Sequence, residues 1–188
     1  MSVIVLVRHG DTPWSISGQH TGRTDVPLNA EGRTQAAALG SRLAGRAFGL
    51  VLSSPRQRAV DTARLAGFGD ELVLDEDLVE WDYGDYEGRT TADIRAEAPG
   101  WTLWADGVPN GETVAEVAWR ADRVLARAAD AGADVLLFSH GHLLRVLAAR
   151  WLGLDPRDGR LLALAAGSVS ELGWEREQAV LASWNVVG

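Results

Sequence analysis

Val3-Ile4-Val5-Leu6-Val7 runs directly into Arg8-His9-Gly10-Asp11-Thr12. Five consecutive apolar, mostly β-branched residues read as a strand buried on both faces, and its charged end carries a cation and an imidazole out of the sheet. In an open parallel α/β sheet that edge is where ligands sit, so Arg8 and His9 there point to an anion site. The pattern occurs a second time. Val135-Leu136-Leu137-Phe138-Ser139 ends in His140-Gly141-His142 and is followed by an almost wholly apolar helix, Leu143 to Leu154. Two buried strands thus carry imidazole at the same end.

The totals narrow the class. The chain has 188 residues, 46% hydrophobic and 23% charged, which predicts one globular domain over 1–188. A net charge of -8 argues against nucleic acid or an anionic membrane as the main partner, since both require a basic field. Cysteine is absent, which excludes disulfides, thiolate zinc sites and a thiol nucleophile. The apolar start is too short for a signal segment or a membrane span, so a cytoplasmic protein is expected. All 18 basic residues are Arg, so no lysine can supply Schiff-base or phosphate-loop chemistry. Eight Trp fit either core burial or an apolar patch, which leaves a homodimer open.

Between the two strand-ends the chain alternates strand and helix. A loop rich in turn formers, with Pro13, Gly18, Gly22 and Pro27, is expected to lie over the crevice. Asn29 caps a helix from about Ala30 to Gly45, and Leu50 to Ser53 is a second short strand. Ser54-Pro55 then reads as a helix start, a cap residue followed by Pro at the first position. Arg58 lies on the small-residue side of that helix with Ala59, Thr62 and Ala63, so it needs an anionic partner, whereas Arg56 reads as a solvated charge. Leu72 to Leu74 is a third strand. It leads to a loop crowded with aromatics and acids, Glu80-Trp81-Asp82-Tyr83-Gly84-Asp85-Tyr86-Glu87, which suits a partly buried wall where one acid has a raised pKa and three are ordinary solvated acids. Composition does not say which. Thr91 to Ala98 is a short helix, and Trp101 to Trp104 a packing segment or lid. A long helix follows Glu112, whose Arg120, Arg123 and Arg127 alternate with acids as on a solvated face. Glu112 itself suits backbone donors near a helix start. The stretches 168–174 and 178–184 form an edge hairpin.

If the sheet is parallel, Arg8, His9, Arg58 and His140 converge on one point. Two guanidiniums and two imidazoles there suit a phosphate dianion, with N–H groups of the helices after Ser54 and Gly141 adding donors. A neutral imidazole can take the phosphoryl group while a carboxylic acid protonates the departing alkoxide, with no metal required. His140-Gly141-His142 forms an H-x-H, but the strand-to-helix switch spoils same-face metal spacing.

The blocks Arg8-His9-Gly10, Thr21-Gly22, Arg58-Ala59 with Thr62-Ala63, Glu80 with Tyr83-Gly84, and Ser139-His140-Gly141 occur in order over residues 3–150. Together they resemble the histidine phosphatase superfamily, in its phosphoglycerate mutase-like branch. The resemblance implies a three-layer α/β/α sandwich on a mostly parallel sheet. It makes His9 the phosphorylated nucleophile, Glu80 the proton donor, and Arg8, Arg58 and His140 the phosphate ligands. Ser15, Gln19, Thr21, Gly22 and Gly141 are the substrate-binding candidates, His20 either lines the mouth or faces solvent, and no cofactor is expected. Ser15 stands where mutases carry Asn, and no basic cluster appears between Gly88 and Gly111 to grip a substrate carboxylate. The expected activity is therefore hydrolysis of small phosphorylated metabolites, of the broad-specificity acid phosphatase type. A mutase and a non-catalytic phospholigand-binding module are the alternatives.

Overall fold

The computed structural model describes residues 2–188. Strands β1 (Ile4–Arg8), β2 (Leu50–Ser53), β3 (Leu72–Leu74) and β4 (Val135–Ser139) run parallel. An antiparallel hairpin, β5 (Val169–Glu175) and β6 (Gln178–Val186), completes one edge, giving the order β3-β2-β4-β1-β5-β6. Helices α1 (Pro13–Ser17) and α2 (Ala30–Leu43) lie between β1 and β2, and α3 (Gln57–Leu65) follows β2. Then α4 (Thr91–Glu97), α5 (Leu103–Asp106) and α6 (Val114–Asp130) separate β3 from β4, and α7 (Gly141–Trp151) follows β4.

The continuous apolar runs fill both faces of the sheet because successive side chains alternate. Val5 and Val7 pack with Leu136, Phe138, Leu39, Leu43 and Ala63 beneath α2 and α3. Ile4 and Leu6 pack on the opposite face with Leu137, Val117, Val124, Leu143 and Leu147 of α6 and α7. Three layers, α/β/α, result. The register pairs Ile4 with Val135 and Arg8 with Ser139, so Arg8-His9 and Ser139-His140 leave the sheet side by side, and β2 delivers Ser54 on the other side of β4.

Two local expectations are corrected. The stretch after Thr12 is not all loop. Thr12 Oγ1 accepts from Ser15 N (3.0 Å) and Ser15 Oγ accepts from Thr12 N (2.9 Å), a reciprocal cap that starts α1 at Pro13. The helix after Ser54-Pro55 begins two residues late, at Gln57, with Arg56 at its cap position and no side-chain cap bond. The Ser54 hydroxyl instead accepts from Arg56 N (3.3 Å), closing the turn before the helix, and from His140 Nε2 (2.8 Å).

Gly10 and Gly32 mark where α2 presses on the end of β1. A Cβ on Gly10 would lie 2.3 Å from the Gly32 carbonyl oxygen, and one on Gly32 would lie 2.1 Å from that of Asp11. Both neighbours are backbone and cannot swing away. Gly10→Ala is expected to lower unfolding free energy by about 1–3 kcal/mol, the usual cost of overpacking, as read from the urea midpoint. A midpoint unchanged from wild type would contradict the close approach.

Candidate active site

Arg58 is wholly buried on α3 and has no carboxylate partner. Its Nη1 donates to the Thr24 carbonyl (3.0 Å), its Nη2 to those of Thr21 (3.0 Å) and Gly22 (3.2 Å), and its Nε to His140 Nδ1 (3.1 Å). The expected anionic partner is thus replaced, within the protein, by carbonyl dipoles that satisfy the donors without cancelling the charge. Arg56 is half-buried rather than solvated, and its Nε is buried without an acceptor.

These bonds fix the imidazoles. A guanidinium Nε–H can only donate, so His140 Nδ1 is the acceptor and Nε2 carries the proton, which goes to Ser54 Oγ at 2.8 Å. His9 Nδ1 lies 2.7 Å from the Gly10 carbonyl, which can only accept; Nδ1 is therefore the protonated nitrogen, and Nε2 keeps its lone pair. The two rings meet edge to face with centroids 5.1 Å apart. Burial first, then the charges of Arg58 and Arg8, hold His9 well below the ordinary histidine value of 6.5. Burial and Arg58 do the same to His140, and burial and Arg145 to His142.

Glu80 is held from both sides. Its Oε1 accepts from Trp81 N (2.9 Å) and Leu143 N (2.9 Å), and its Oε2 from His142 N (3.0 Å). The first turn of α7, expected to donate to phosphate, therefore holds this carboxyl, and the α3 start is likewise diverted, Gln57 N donating to Asp25 (2.8 Å). Arg120, read from sequence as solvated, is 8% exposed. It pairs with Glu112 at 2.8 Å through Nε and Nη2 and donates through Nη1 to the carbonyls of Asp77 (2.8 Å) and Val79 (2.9 Å). Glu112 in turn accepts from Asp82 N (2.9 Å) on the acid loop rather than from the start of α6, which Thr113 and Glu116 cap. Arg123, partly exposed, and Arg127, exposed as its sequence pattern reads, pair with Asp77 and Asp75, so this face of α6 clamps the segment before the acid loop while still meeting water. The other loop acids are not all free either. Asp82 pairs with Arg23 (2.6 Å), and Glu87 accepts from Gly22 N (2.9 Å) and Thr24 N (3.0 Å), leaving Asp85 as the exposed one.

A cavity of about 370 Å³ opens over these groups. Arg8, His9, Glu80 and Gly141 line it, as do Ser15, Gln19 and Thr21. Arg58 and His140 back its floor rather than lining it. Gly22 is turned away, its N–H on Glu87 and its carbonyl on Arg58, and the Ser15 hydroxyl is spent on Asp11 (2.9 Å) and the α1 cap. Arg8 Nε is buried without an acceptor among the described residues. His20 lines the cavity with Nδ1 2.8 Å from the Arg89 carbonyl, and its ring stacks at 9° to that of His142. His142 Nδ1 meets the Tyr83 hydroxyl at 2.6 Å; burial and Glu80 push that phenol up, so it keeps its proton. Sequence reasoning missed Arg95 and Arg145 in the lining; of the stretch 88–111, which reads as holding no basic cluster, Arg95 is the Arg that lines the cavity. Among the described residues no cluster of three or more His, Cys, Asp or Glu is placed to hold a metal, and no helix is long and apolar enough to cross a membrane.

An α/β sandwich with imidazoles and guanidiniums at the ends of adjacent parallel strands defines a phosphoryl-handling class, and the comparisons with known proteins agree. The model of the histidine phosphatase superfamily, branch 1, matches residues 4–187, and the chain belongs to that family. It is 44% identical over 190 residues to an acid phosphatase of Mycobacterium tuberculosis, covering 95% of this chain and 91% of that one. A sedoheptulose 1,7-bisphosphatase of Saccharomyces cerevisiae is 38% identical over 80% of this chain and 67% of its own length. A probable phosphoglycerate mutase of Salmonella is 32% identical over 99% and 91%. Among solved structures, a mycobacterial glucosyl-3-phosphoglycerate phosphatase superposes with a TM-score of 0.88 at 32% identity, covering 99% of this chain and all of that one.

Keeping the buried His9 and His140, and the partly exposed His142, neutral makes the fold acid-sensitive in the imidazole range. Below pH 6.5 the unfolded chain binds protons that the native state refuses, so stability present above that value is lost as pH falls toward the depressed native values. Each such group contributes a slope of about 1.4 kcal/mol per pH unit at most. Urea midpoints are expected to fall between pH 7 and 5; stability that holds level or rises there would mean the rings are not kept neutral.

Proposed function

We propose that this protein hydrolyses small phosphomonoesters through a phosphohistidine on His9, without a metal. The observation that carries the proposal is the His9 ring itself. Its Nδ1 is tied to the Gly10 carbonyl, its Nε2 lone pair is free, and its low proton affinity keeps it a nucleophile in acid. Arg8, with its unpaired buried Nε, supplies a guanidinium for the phosphoryl oxygens. The Gly141 N–H, which has no acceptor among the described residues, supplies a further donor. Arg58 and His140 stabilise the same charge from behind.

In the first step His9 Nε2 forms the N–P bond as the ester P–O bond breaks, and the Glu80 carboxyl gives its proton to the departing alkoxide. In the second, Glu80 takes a proton from water as that water attacks phosphorus, the N–P bond breaks, and phosphate leaves. The acid phosphatase relative at 44% identity favours hydrolysis, and the glucosyl-3-phosphoglycerate phosphatase structure, solved with VO3, matches over the whole chain. Return of the phosphoryl group to a bound product is the second reading, favoured by the cationic lining at Arg95 and Arg145 and by the mutase-named relative.

His9→Ala is expected to reduce p-nitrophenyl phosphate turnover by at least about 10³-fold while wild-type turnover survives chelator, and brief exposure to labelled substrate is expected to trap acid-labile phosphohistidine. Turnover persisting in His9→Ala would overturn the assignment. With 3-phosphoglycerate, phosphate release is expected to outpace isomerisation, and the reverse result selects the mutase reading. Because kcat/KM reports groups of the free enzyme, it is expected to show no inflection near pH 6.5 on its acid limb once the substrate's own ionisation is corrected for. An inflection there would mean that His9 titrates normally.

A further inference from the structure

Arg8 and Arg58 are two cations for one phosphoryl dianion, so the strand-end site is balanced without help from the rest of the cavity. Yet the lining carries two more guanidiniums, Arg95 from α4 and Arg145 from α7, against a single carboxyl, Glu80. Neither forms an ion pair among the described residues, whereas Arg120, Arg123 and Arg150 each face a carboxylate. Arg145 is half-buried and lies 4.8 Å over the Trp104 ring. Its Nε donates to the Gly159 carbonyl (3.0 Å) and its Nη2 to that of Arg160 (3.2 Å), which aims the group and leaves Nη1 without a protein acceptor. Gly159 makes this approach feasible, since a Cβ there would meet Trp104 at 2.9 Å and the Arg145 backbone at 3.0 Å. Arg95 is exposed at the mouth, with Nε on the Trp101 carbonyl (2.8 Å) and both Nη groups free. Trp101, Leu103 and Trp104 share the lining with these cations and give the cavity an apolar wall suited to a carbon skeleton.

We propose that Arg145, with Arg95 at the mouth, forms a second anion subsite, and that the preferred substrates are phosphomonoesters whose alcohol part carries a further carboxylate or phosphate. This rests on the phosphatase reading of the same cavity. A partly desolvated, unpaired guanidinium gains more from an anionic partner than an exposed one does, because less water competes. That separates Arg145 from the surface arginines. Its carbonyl bonds alone would assign it a purely structural role, but they use only two of its three nitrogens and explain neither its place in the cavity wall nor the second cation beside it.

The test compares matched substrates that differ by one anionic group: 3-phosphoglycerate against glycerol 3-phosphate for a carboxylate, and fructose 1,6-bisphosphate against fructose 6-phosphate for a phosphate. In at least one pair, kcat/KM is expected to favour the additional anion by tenfold or more, about 1.4 kcal/mol. The pair that responds identifies the anion. Arg145→Met, which keeps the stem on Trp104, and the exposed Arg95→Gln are each expected to bring that ratio down severalfold. A general loss of activity or fold would strike both members of a pair alike and leave the ratio standing. Ratios near one in both pairs, or ratios that neither variant moves, overturn the subsite while phosphate release and phosphohistidine trapping keep the phosphatase reading. Calorimetry on His9→Gln covers the converse: tighter binding of 3-phosphoglycerate than of glycerol 3-phosphate, or of the bisphosphate than of the monophosphate, supports the subsite even if no substrate is turned over. Equal binding within both pairs refutes it.

Discussion

A positive charge sealed in the interior without a counter-ion governs this molecule. Arg58 keeps its proton, so three carbonyls and one imidazole nitrogen solvate a charge that no carboxylate contacts, with Glu80 and Asp25 acting on it only from a distance. Several consequences share that cause. The carbonyls of Thr21, Gly22 and Thr24 must turn inward, which folds the loop beside the cavity. His140 must present Nδ1 as acceptor, which fixes its tautomer and sends its proton to Ser54. His9 and His140 must stay neutral, because protonating either would add a second buried charge of the same sign. Desolvating a guanidinium costs several kcal/mol even after the protein relaxes, and the return comes from an anion brought to the strand ends. The strain against stability and the affinity for a dianion are two views of one arrangement.

The carboxyl half of the site is built differently, out of backbone. In four consecutive residues, His140-Gly141-His142-Leu143, the chain changes from strand to helix. That turn places an imidazole on the floor, leaves one amide over the cavity, and directs the next two at Glu80. Nucleophile-side and acid-side groups are therefore coupled through a rigid helix start rather than through flexible side chains. The opposite flank of Glu80 is secured by Arg120 and Glu112, which between them engage the backbone at 77, 79 and 82. A carboxyl held at both ends of its segment loses little freedom when it reacts, and that preorganisation is what general acid catalysis draws on.

How legible this was in the sequence follows the same division. The strands and the convergence of Arg8, His9, Arg58 and His140 were readable because apolar runs ending in charged residues report burial and sheet edge directly, whereas the three-layer order came through resemblance. The choice of Glu80 was not readable from composition, since four acids share its loop, and it came through resemblance. Arg120, Arg123 and Arg127 misled because an i, i+3, i+7 row of Arg beside acids looks the same whether its partners are water or a distant loop. Their partners Asp75, Asp77 and Glu112 lie remote in sequence or on another element. Arg95 and Arg145 escaped for a related reason: lone cations in amphipathic helices carry no local mark that a cavity faces them. Ser54 is the instructive case. Its Ser-Pro signal marks the approach to a helix, but the hydroxyl closes a turn on Arg56 N while meeting a buried imidazole, and the helix starts two residues further on.

A chain with net charge -8 that concentrates unpaired guanidinium in one cavity contains no contradiction. Surface carboxylates act through water and salt, and their field decays over about 10 Å at moderate ionic strength. Groups lining a concave site with low-dielectric walls act across a few ångströms with little screening, so a small anion that reaches the mouth responds to the arginines rather than to the net charge. An extended polyanion is in the opposite position, because most of its charge must remain over the acidic exterior while only one phosphate enters. Under the proposed function, the same charge distribution would favour a compact phosphate ester over a nucleic acid strand without a dedicated steric gate.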